Sequence, residues 1–194
     1  MERKIKAWVA ILISDKTDFK TKAIKRGTER HFIILKGRIH QEDINIRNIY
    51  APNIRAPKYI RKTLGDFKEN IVSNTLILGD FNTPLSTMDR SSKQNINKDI
   101  MALNDTLDQI DLIDTYKIFH PKEGKYTFFS NAHGTFSKID HMIGHKTSLN
   151  KCKNIKIISS IFSHHKGLKL ETNLEEKTPK HSNSLRLNSM PLNN

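Results

Sequence analysis

Short apolar runs rich in branched side chains recur along this chain and limit the folds that it can adopt. Each run has four to seven residues, which is short for a buried helix and typical of a buried strand. Polar stretches with Gly or Pro lie between many of them, as expected for turns. The runs that we interpret as strands are 9–13, 32–35, 44–50, 75–78, 126–129, 139–143, 155–158 and 167–170.

Two segments have the spacing of amphipathic helices instead. Apolar residues recur every three or four positions within 58–72 and again within 100–110, which predicts an apolar stripe along each helix. The positions that carry these stripes are Ile60, Leu64, Phe67 and Ile71, and then Ile100, Leu103, Leu107 and Ile110. Strands and helices are thus mixed along the chain, and we expect an α/β fold with a hairpin between 32–35 and 44–50.

The charge of the chain restricts its partners. The 33 Lys and Arg exceed the 20 Asp and Glu, so the net charge is +13. This excess favours an anionic partner, with nucleic acid first and an acidic membrane surface second; solubility alone is the other explanation. No apolar run is long enough to span a membrane, and we interpret 9–13 as a strand, not as part of a signal peptide.

The cysteine count and the end of the apolar pattern complete the organisation. A single cysteine, Cys152, cannot form an internal disulfide, which favours a reducing, intracellular compartment and not secretion. The 194 residues suit one domain, which we place at 1–172. The remaining residues, 173–194, are polar and contain Pro179 and Pro191, so we expect a flexible tail.

Polar groups suited to chemistry follow the apolar run 75–78. Asp80 and Asn82 lie two positions apart, and residues at that spacing point to the same side of a strand. They could therefore act on one substrate atom. Asp and Asn are also common turn residues, and on its own this motif supports either interpretation.

Three other places carry candidate groups at strand ends. Asp140 precedes the apolar run around Met142 and could orient a distant His. His164 and His165 precede 167–170; adjacent side chains point to opposite sides, so one of them is a candidate base or metal ligand. Tyr50 and Asn53 could bind phosphate, although the Tyr50 ring could simply cover the core.

The order of these motifs resembles the endonuclease/exonuclease/phosphatase superfamily. Within it, the chain looks like the endonuclease domain of the second open-reading-frame polyprotein of LINE retrotransposons, which also carries a reverse transcriptase. The resemblance covers roughly residues 7–171, and its most specific segments are 9–20, 79–90, 126–130 and 137–141.

The resemblance implies a four-layer α/β sandwich with two central sheets and Mg²⁺-dependent hydrolysis of a phosphodiester, by which the domain nicks DNA. It implies that Asp80 handles a proton and that Asn82 steadies the phosphate. Asp140 would orient His165, and Tyr50 would support the phosphate from the side. Residues implied to contact phosphate or DNA are Asn53, Arg90, Thr127 and Ser163.

Two departures from the family pattern lower the expected activity. Members carry a site Asn and a metal-binding Glu on early strands, the Glu in a Gln-Glu-Thr type motif that is absent from residues 1–50. The family motif Ser-Asp-His reads Ser163-His164-His165, so His164 replaces an Asp. We therefore expect an incomplete N-terminus, no complete metal site and weak Mg²⁺ binding, as in a degenerate retrotransposon copy without its reverse transcriptase.

Two alternatives remain open from the sequence. The chain could be a catalytically dead, basic nucleic-acid binder whose affinity falls steeply with salt. It could also be a phosphoesterase of the same superfamily that acts on small esters. For both the nuclease and the catalytically dead binder, the expected partner is DNA, with RNA as an alternative. Either protein would act in the nucleus or the cytoplasm. The oligomeric state is open.

Overall fold

A computed structural model describes residues 9–27, 31–92, 95–161 and 163–173. Its centre is a mixed six-stranded sheet with the order β1-β2-β3-β4-β8-β5. These strands are β1 (Phe19–Arg26), β2 (Phe32–Ile39), β3 (Glu42–Ile49), β4 (Thr75–Asp80), β5 (Leu112–Asp114) and β8 (Asp140–His145). Two antiparallel pairs accompany the sheet: β6 (Phe128–Ser130) with β7 (Thr135–Ser137), and β9 (Cys152–Ile158) with β10 (Gly167–Thr172).

Three helices lie between strands in the part of the chain that the structure describes. They are α1 (Ala56–Asp66), α2 (Lys98–Gln109) and α3 (Thr115–Phe119), and short 3₁₀ turns cover Lys68–Asn70, Thr87–Asp89 and Lys146–Lys151. Helix α1 connects β3 to β4, which pair in parallel, whereas β8 is antiparallel to both β4 and β5. The α/β class that the sequence predicts is therefore confirmed.

Successive residues of β4 point into two different cores, because side chains alternate along a strand. Ile77 is fully buried on the side of α1 and α2, together with Ile60 and Leu103. Leu76 and Leu78 pack on the other side, against α3 and the β9–β10 pair. The sheet thus lies between a helical layer and a second, smaller sheet.

The predicted hairpin between β2 and β3 is confirmed, with a tighter turn than the sequence suggests. His40 and Gln41 both have positive φ, 46° and 67°, as in the two-residue turns whose twist matches that of the flanking strands. Glu42, which lies between the two predicted strands 32–35 and 44–50, is already part of β3.

The predicted strand at 9–13 is wrong. The chain is irregular there, and Leu12 is 94% exposed. The Ala10 carbonyl accepts a hydrogen bond from the Asn48 side chain at 2.9 Å, so this segment contacts the sheet without joining it. The edge strand is β1, which the sequence did not reveal because its basic, exposed residues lack an apolar run.

Other predictions are refined or stay open. The first predicted helix, 58–72, ends at Asp66 and continues as a 3₁₀ turn. The polar tail predicted at 173–194 falls almost wholly outside the described residues, which end at Asn173. Within the described ranges, no helix combines the length and apolar character needed to cross a membrane.

Candidate active site

Two carboxylates meet at one end of the central sheet. Strand β4 ends at Asp80 and β8 begins at Asp140, and the antiparallel register places these two residues opposite each other. Like charges in that position repel each other. A site with this arrangement needs a proton or a cation between the carboxylates.

The backbone around Asp80 takes an unusual course that fixes the side chain. Gly79 has a φ of 133°, and a Cβ there would lie 2.0 Å from the Ile49 carbonyl oxygen, so a larger residue would push β3 and β4 apart. Asn82 is left-handed, with a φ of 47°. Its backbone N–H donates to Asp80 Oδ1 at 2.9 Å and holds that carboxylate in place.

The Asn82 side chain is committed to the protein. Its Nδ2 donates to the Ala51 carbonyl at 2.7 Å and lies 3.4 Å from Asp80 Oδ2. An amide nitrogen has two hydrogens, and both have partners here. The backbone and the amide nitrogen of Asn82 therefore help to hold Asp80 in place. The contact with phosphate that the resemblance implies for Asn82 stays a prediction.

His165 reaches the carboxylates from the start of β10. Its Nδ1 lies 2.9 Å from Asp140 Oδ2, and its ring packs against Phe128 with the centroids 4.8 Å apart. A backbone bridge between Phe128 and His165 holds the two strands together at this point. The side chains of His165 and Asp140 are 30% and 19% exposed, so solvent and substrate can reach them.

Thr127 supports the site from inside, contrary to the expectation that it contacts DNA. It is fully buried. Its Oγ1 accepts the backbone N–H groups of Ile139 and Asp140 at 3.1 and 3.2 Å, and its carbonyl accepts that of Lys166. The buried Thr127 side chain is not available at the surface, and its hydrogen bonds connect Asp140 to the segment that carries His165.

The electrostatics make the site ready to bind protons. Burial raises the pKa of Asp80, and the negative charge of Asp140 raises it further, against a hydrogen bond from Asn82. The hydrogen bond to Asp140 raises the pKa of His165 because it favours the imidazolium. A carboxyl group and an imidazole with raised pKa values, side by side, are suited to moving a proton near neutral pH.

The same three residues form a group that could hold a metal ion. Asp80, Asp140 and His165 are half-buried, and each offers a ligand atom within 4.8 Å of the others. The two carboxylates suit Mg²⁺ or Mn²⁺, whereas imidazole suits transition metals better than Mg²⁺. From the sequence we expected no complete metal site, because the family Glu is missing and His164 replaces an Asp. The fold nevertheless brings Asp80, Asp140 and His165 close enough to share one ion.

The other predicted site residues lie around this group, with few contacts to it. Tyr50 follows β3 at the same sheet end, and its ring lies parallel to that of His31 with the centroids 5.8 Å apart. Asn53 is exposed in the next turn, and His164 is exposed beside His165. Ser163 accepts the His165 backbone N–H at 3.0 Å, and Arg90 forms a backbone bridge to Ser137.

A buried ionic cluster behind the site was not apparent from the sequence. Lys138 is 3% exposed, and its Nζ lies 2.5 Å from Asp114 Oδ2 and 3.4 Å from Asp89 Oδ1. His141 Nδ1 lies 3.0 Å from the same Asp114 oxygen, and its Nε2 donates to the Thr83 carbonyl. Lys138 and His141 flank Asp140, so the cluster anchors the start of β8 that carries this carboxylate.

The positive charge of Lys138 lies next to the negative charges of Asp114 and Asp89 within this cluster. Burial acts to raise the pKa of Asp114, but hydrogen bonds and charge interactions with His141 and Lys138 outweigh it and hold that pKa well below the usual range. Burying a charge costs free energy unless the charge is paired and hydrogen-bonded. A Lys two residues before a candidate catalytic Asp is the one signal in the sequence that could have indicated this cluster.

No protein-family model matches the sequence. The fold is nevertheless similar to solved structures at low identity. An AP endonuclease from Archaeoglobus fulgidus has a TM-score of 0.64 at 16% identity, over 80% of this chain and 72% of that protein. The 3'-5' exonuclease NExo from Neisseria meningitidis has a TM-score of 0.66 at 16% identity, over 78% and 71%.

A third structure comes from a mobile element. The endonuclease domain of TRAS1, a telomere-specific non-LTR retrotransposon, has a TM-score of 0.62 at 14% identity and covers 82% of this chain and 69% of that domain. Similarity at these identities shows the fold. The chain therefore has the α/β fold of endonuclease/exonuclease/phosphatase proteins.

Proposed function

We propose that the chain is a metal-assisted phosphodiester hydrolase that nicks DNA, of the type found in LINE retrotransposons. The observation that carries the proposal is the 2.9 Å contact between His165 and Asp140 beside Asp80, at one exposed sheet end. Hydrolysis of a phosphodiester requires a group that transfers a proton and hydrogen-bond donors that stabilise the charged transition state. The three residues provide both.

Each residue has a distinct part in the proposed reaction. Asp140 Oδ2 orients His165 through Nδ1, so Nε2 is the atom that can donate to a phosphoryl oxygen. Asp80, whose pKa is raised by burial, accepts a proton from the attacking water or delivers one to the leaving oxygen. Asn82 and Thr127 hold the two carboxylates in register.

The donor set fits a divalent cation in part. The residues that would hold the cation are Asp80 and Asp140, the latter through Oδ1, because Oδ2 contacts His165. Carboxylate oxygens are the ligands that Mg²⁺ and Mn²⁺ prefer. When bound, such an ion supplies positive charge to the phosphoryl group. Only two carboxylates contribute among the described residues, so we expect slow turnover and a preference for Mn²⁺ over Mg²⁺.

DNA is the proposed substrate, with RNA as the alternative. The net charge of +13 favours a polyanion, and phosphate neutralisation by Lys and Arg dominates nucleic-acid affinity. The similar structures include an AP endonuclease and a retrotransposon endonuclease domain, which supports DNA and the LINE assignment. A nuclear location would follow from such a substrate.

Nicking of supercoiled plasmid tests the proposal. We expect slow conversion to open circles with Mn²⁺, less with Mg²⁺ and none with a chelator. Asp80→Ala should lower the rate by at least about 100-fold, the effect usual for a proton-transfer group. Asp66→Ala, at an exposed carboxylate at the end of α1, is the matched control and should leave the rate unchanged. Nicking that survives both chelator and Asp80→Ala would refute the proposal.

The limited set of carboxylates favours one second candidate, a nucleic-acid binder without catalysis. Fluorescence anisotropy of a labelled duplex at several salt concentrations distinguishes the two. A binder shows affinity that falls steeply with salt, without any metal-dependent nicking by the same preparation. Affinity that does not respond to salt would remove this candidate.

A further inference from the structure

A buried arginine in the central sheet has almost no partners. Arg47, in the middle of β3, is 0% exposed. Its Nη2 donates to the Asn70 carbonyl at 2.6 Å, whereas Nε and Nη1 have no hydrogen-bond partner among the described residues. Its Cζ lies 5.1 Å from the centre of the Phe67 ring.

Arg47 also lacks a counter-charge. No carboxylate in the described part of the chain forms an ion pair with it. Burial lowers its pKa to about 10, and no acidic neighbour contributes to the shift. The guanidinium therefore keeps its charge at neutral pH, inside a part of the protein where an unpaired charge is costly.

The surroundings of Arg47 are cationic. A cleft of about 220 Å³ lies between β1, β2, β3 and the end of α1, and Arg47, Lys25 and Lys36 line it. All three charged residues that line it are therefore positive. Lys25 and Arg47 each flank Ile34 in the strand register, and Lys36 lies one step along the same face.

The cleft is large enough for a small anion. Its volume is several times the roughly 30 Å³ that one water molecule takes in the liquid. Lys25 is exposed and Lys36 is half-buried, so both can contact a ligand that enters from solvent. Arg47 adds its charge from the floor, where the low dielectric strengthens the attraction.

We propose that this cleft binds a phosphate group. A phosphate supplies the negative charge that Arg47 lacks among the described residues, and a cluster of Lys and Arg side chains is the usual means of binding it. The cleft is distinct from the Asp80–Asp140–His165 group. The cleft lies on the face of the sheet that bears α1. Leu78 lies two residues before Asp80 and Met142 two residues after Asp140, and both pack on the opposite face. Residues two apart in a strand share a face, so the two carboxylates also lie on that opposite face.

Thermal unfolding of the whole chain in phosphate and in chloride at equal ionic strength tests the proposal. Wild type should gain several degrees in Tm with rising phosphate, because a ligand of the folded state stabilises it. Arg47→Met removes the buried charge, so the variant should lose most of the gain and be at least as stable as wild type in chloride. Arg38→Met, at an exposed arginine of β2 already paired with Asp43, should keep the gain.

Two results would overturn the proposal. One is a wild-type response to phosphate no larger than the response to chloride. The other is an equal phosphate response in wild type and in Arg47→Met, which would assign the anion elsewhere. Lys36→Gln provides a second variant with an intermediate loss expected, in case Arg47→Met does not fold.

The source of the phosphate is resolved by a parallel series. A short oligonucleotide that stabilises wild type more than Arg47→Met assigns the cleft to the backbone of a nucleic acid. A difference between the two proteins with inorganic phosphate alone assigns it to a free anion. Neither arm requires catalysis, so the outcome is independent of the proposed nuclease activity.

Discussion

Two buried cations, Lys138 just before β8 and Arg47 in β3, have opposite surroundings. Lys138 is 3% exposed and contacts the carboxylates of Asp114 and Asp89, with His141 completing the cluster. Arg47 is 0% exposed and has one backbone carbonyl and one aromatic ring. The protein thus compensates the cation beside the candidate active site and leaves the other cation for an external anion.

Burial alone therefore does not decide how a charge affects stability. Removing one partner of a buried ion pair strongly destabilises a protein, whereas replacing a buried charge by an apolar side chain is often neutral or favourable.

The largest effect is expected from Lys138→Met. This change leaves Asp114 and Asp89 buried without their cation, and we expect a loss of about 3–5 kcal/mol in the free energy of unfolding. Chemical denaturation measures it. Lys58→Met is the matched control, because Lys58 forms only an exposed pair with Asp99 at 3.5 Å and should change stability by less than about 1 kcal/mol. Equal effects of the two changes would remove the distinction.

Arg47→Met should act in the opposite direction. When no anion is bound, this change removes an unpaired buried charge. Met is unbranched, like the aliphatic part of the Arg side chain, so it can fill much of the same space. We expect the free energy of unfolding in chloride to stay the same or rise by about 1–4 kcal/mol. A marked loss of stability by the same denaturation measurement would show that Arg47 is compensated by a group that we have not identified.

The free energy of unfolding should depend on pH in different ranges for the buried cluster and for the candidate active site. Asp114 has a lowered pKa, so its contribution is present above the unfolded value of about 3.9 and is lost as pH falls through the lower folded value. His165 has a raised pKa, so its contribution is present below about 6.5 and is lost as pH rises through the higher folded value.

Denaturation of wild type and His165→Ala across these ranges measures the second effect. The stability difference between the two proteins should shrink as pH rises past neutrality, because the imidazolium–carboxylate interaction disappears in wild type. A difference that grows with pH would mean that the neutral imidazole is the form that Asp140 favours. The effect is expected to be smaller than the two above, since both side chains are partly exposed.

Much of the fold follows from local patterns, and what the sequence misses depends on distant partners. The apolar runs at β2, β3 and β4 specify buried strands because each residue carries its own preference for burial. The apolar run at 9–13 has the same pattern, yet it is irregular and contacts the sheet through the Asn48 side chain. Strand β1, with an exposed basic sequence, takes the edge of the sheet instead.

In the candidate site, too, local patterns indicate some residues, whereas contacts between distant residues decide the rest. Asp80 and Asn82 are marked by their spacing after a buried strand, and the resemblance to LINE endonucleases selects Asp140 and His165. The structure brings these residues together, while their catalytic roles stay a prediction. The burial of Thr127 and the cluster around Lys138 could not be read from the sequence, because Thr127 is held by Ile139 and Asp140, and Asp114 lies 24 positions from Lys138.

The most direct test of the account compares two adjacent histidines. His165 is bonded to Asp140, whereas His164 is exposed and outside the metal-binding group. Metal-dependent nicking of supercoiled plasmid should fall by at least about 100-fold in His165→Ala and stay near the wild-type rate in His164→Ala. Equal rates in the two variants would contradict the assignment of Asp80, Asp140 and His165 as the active site.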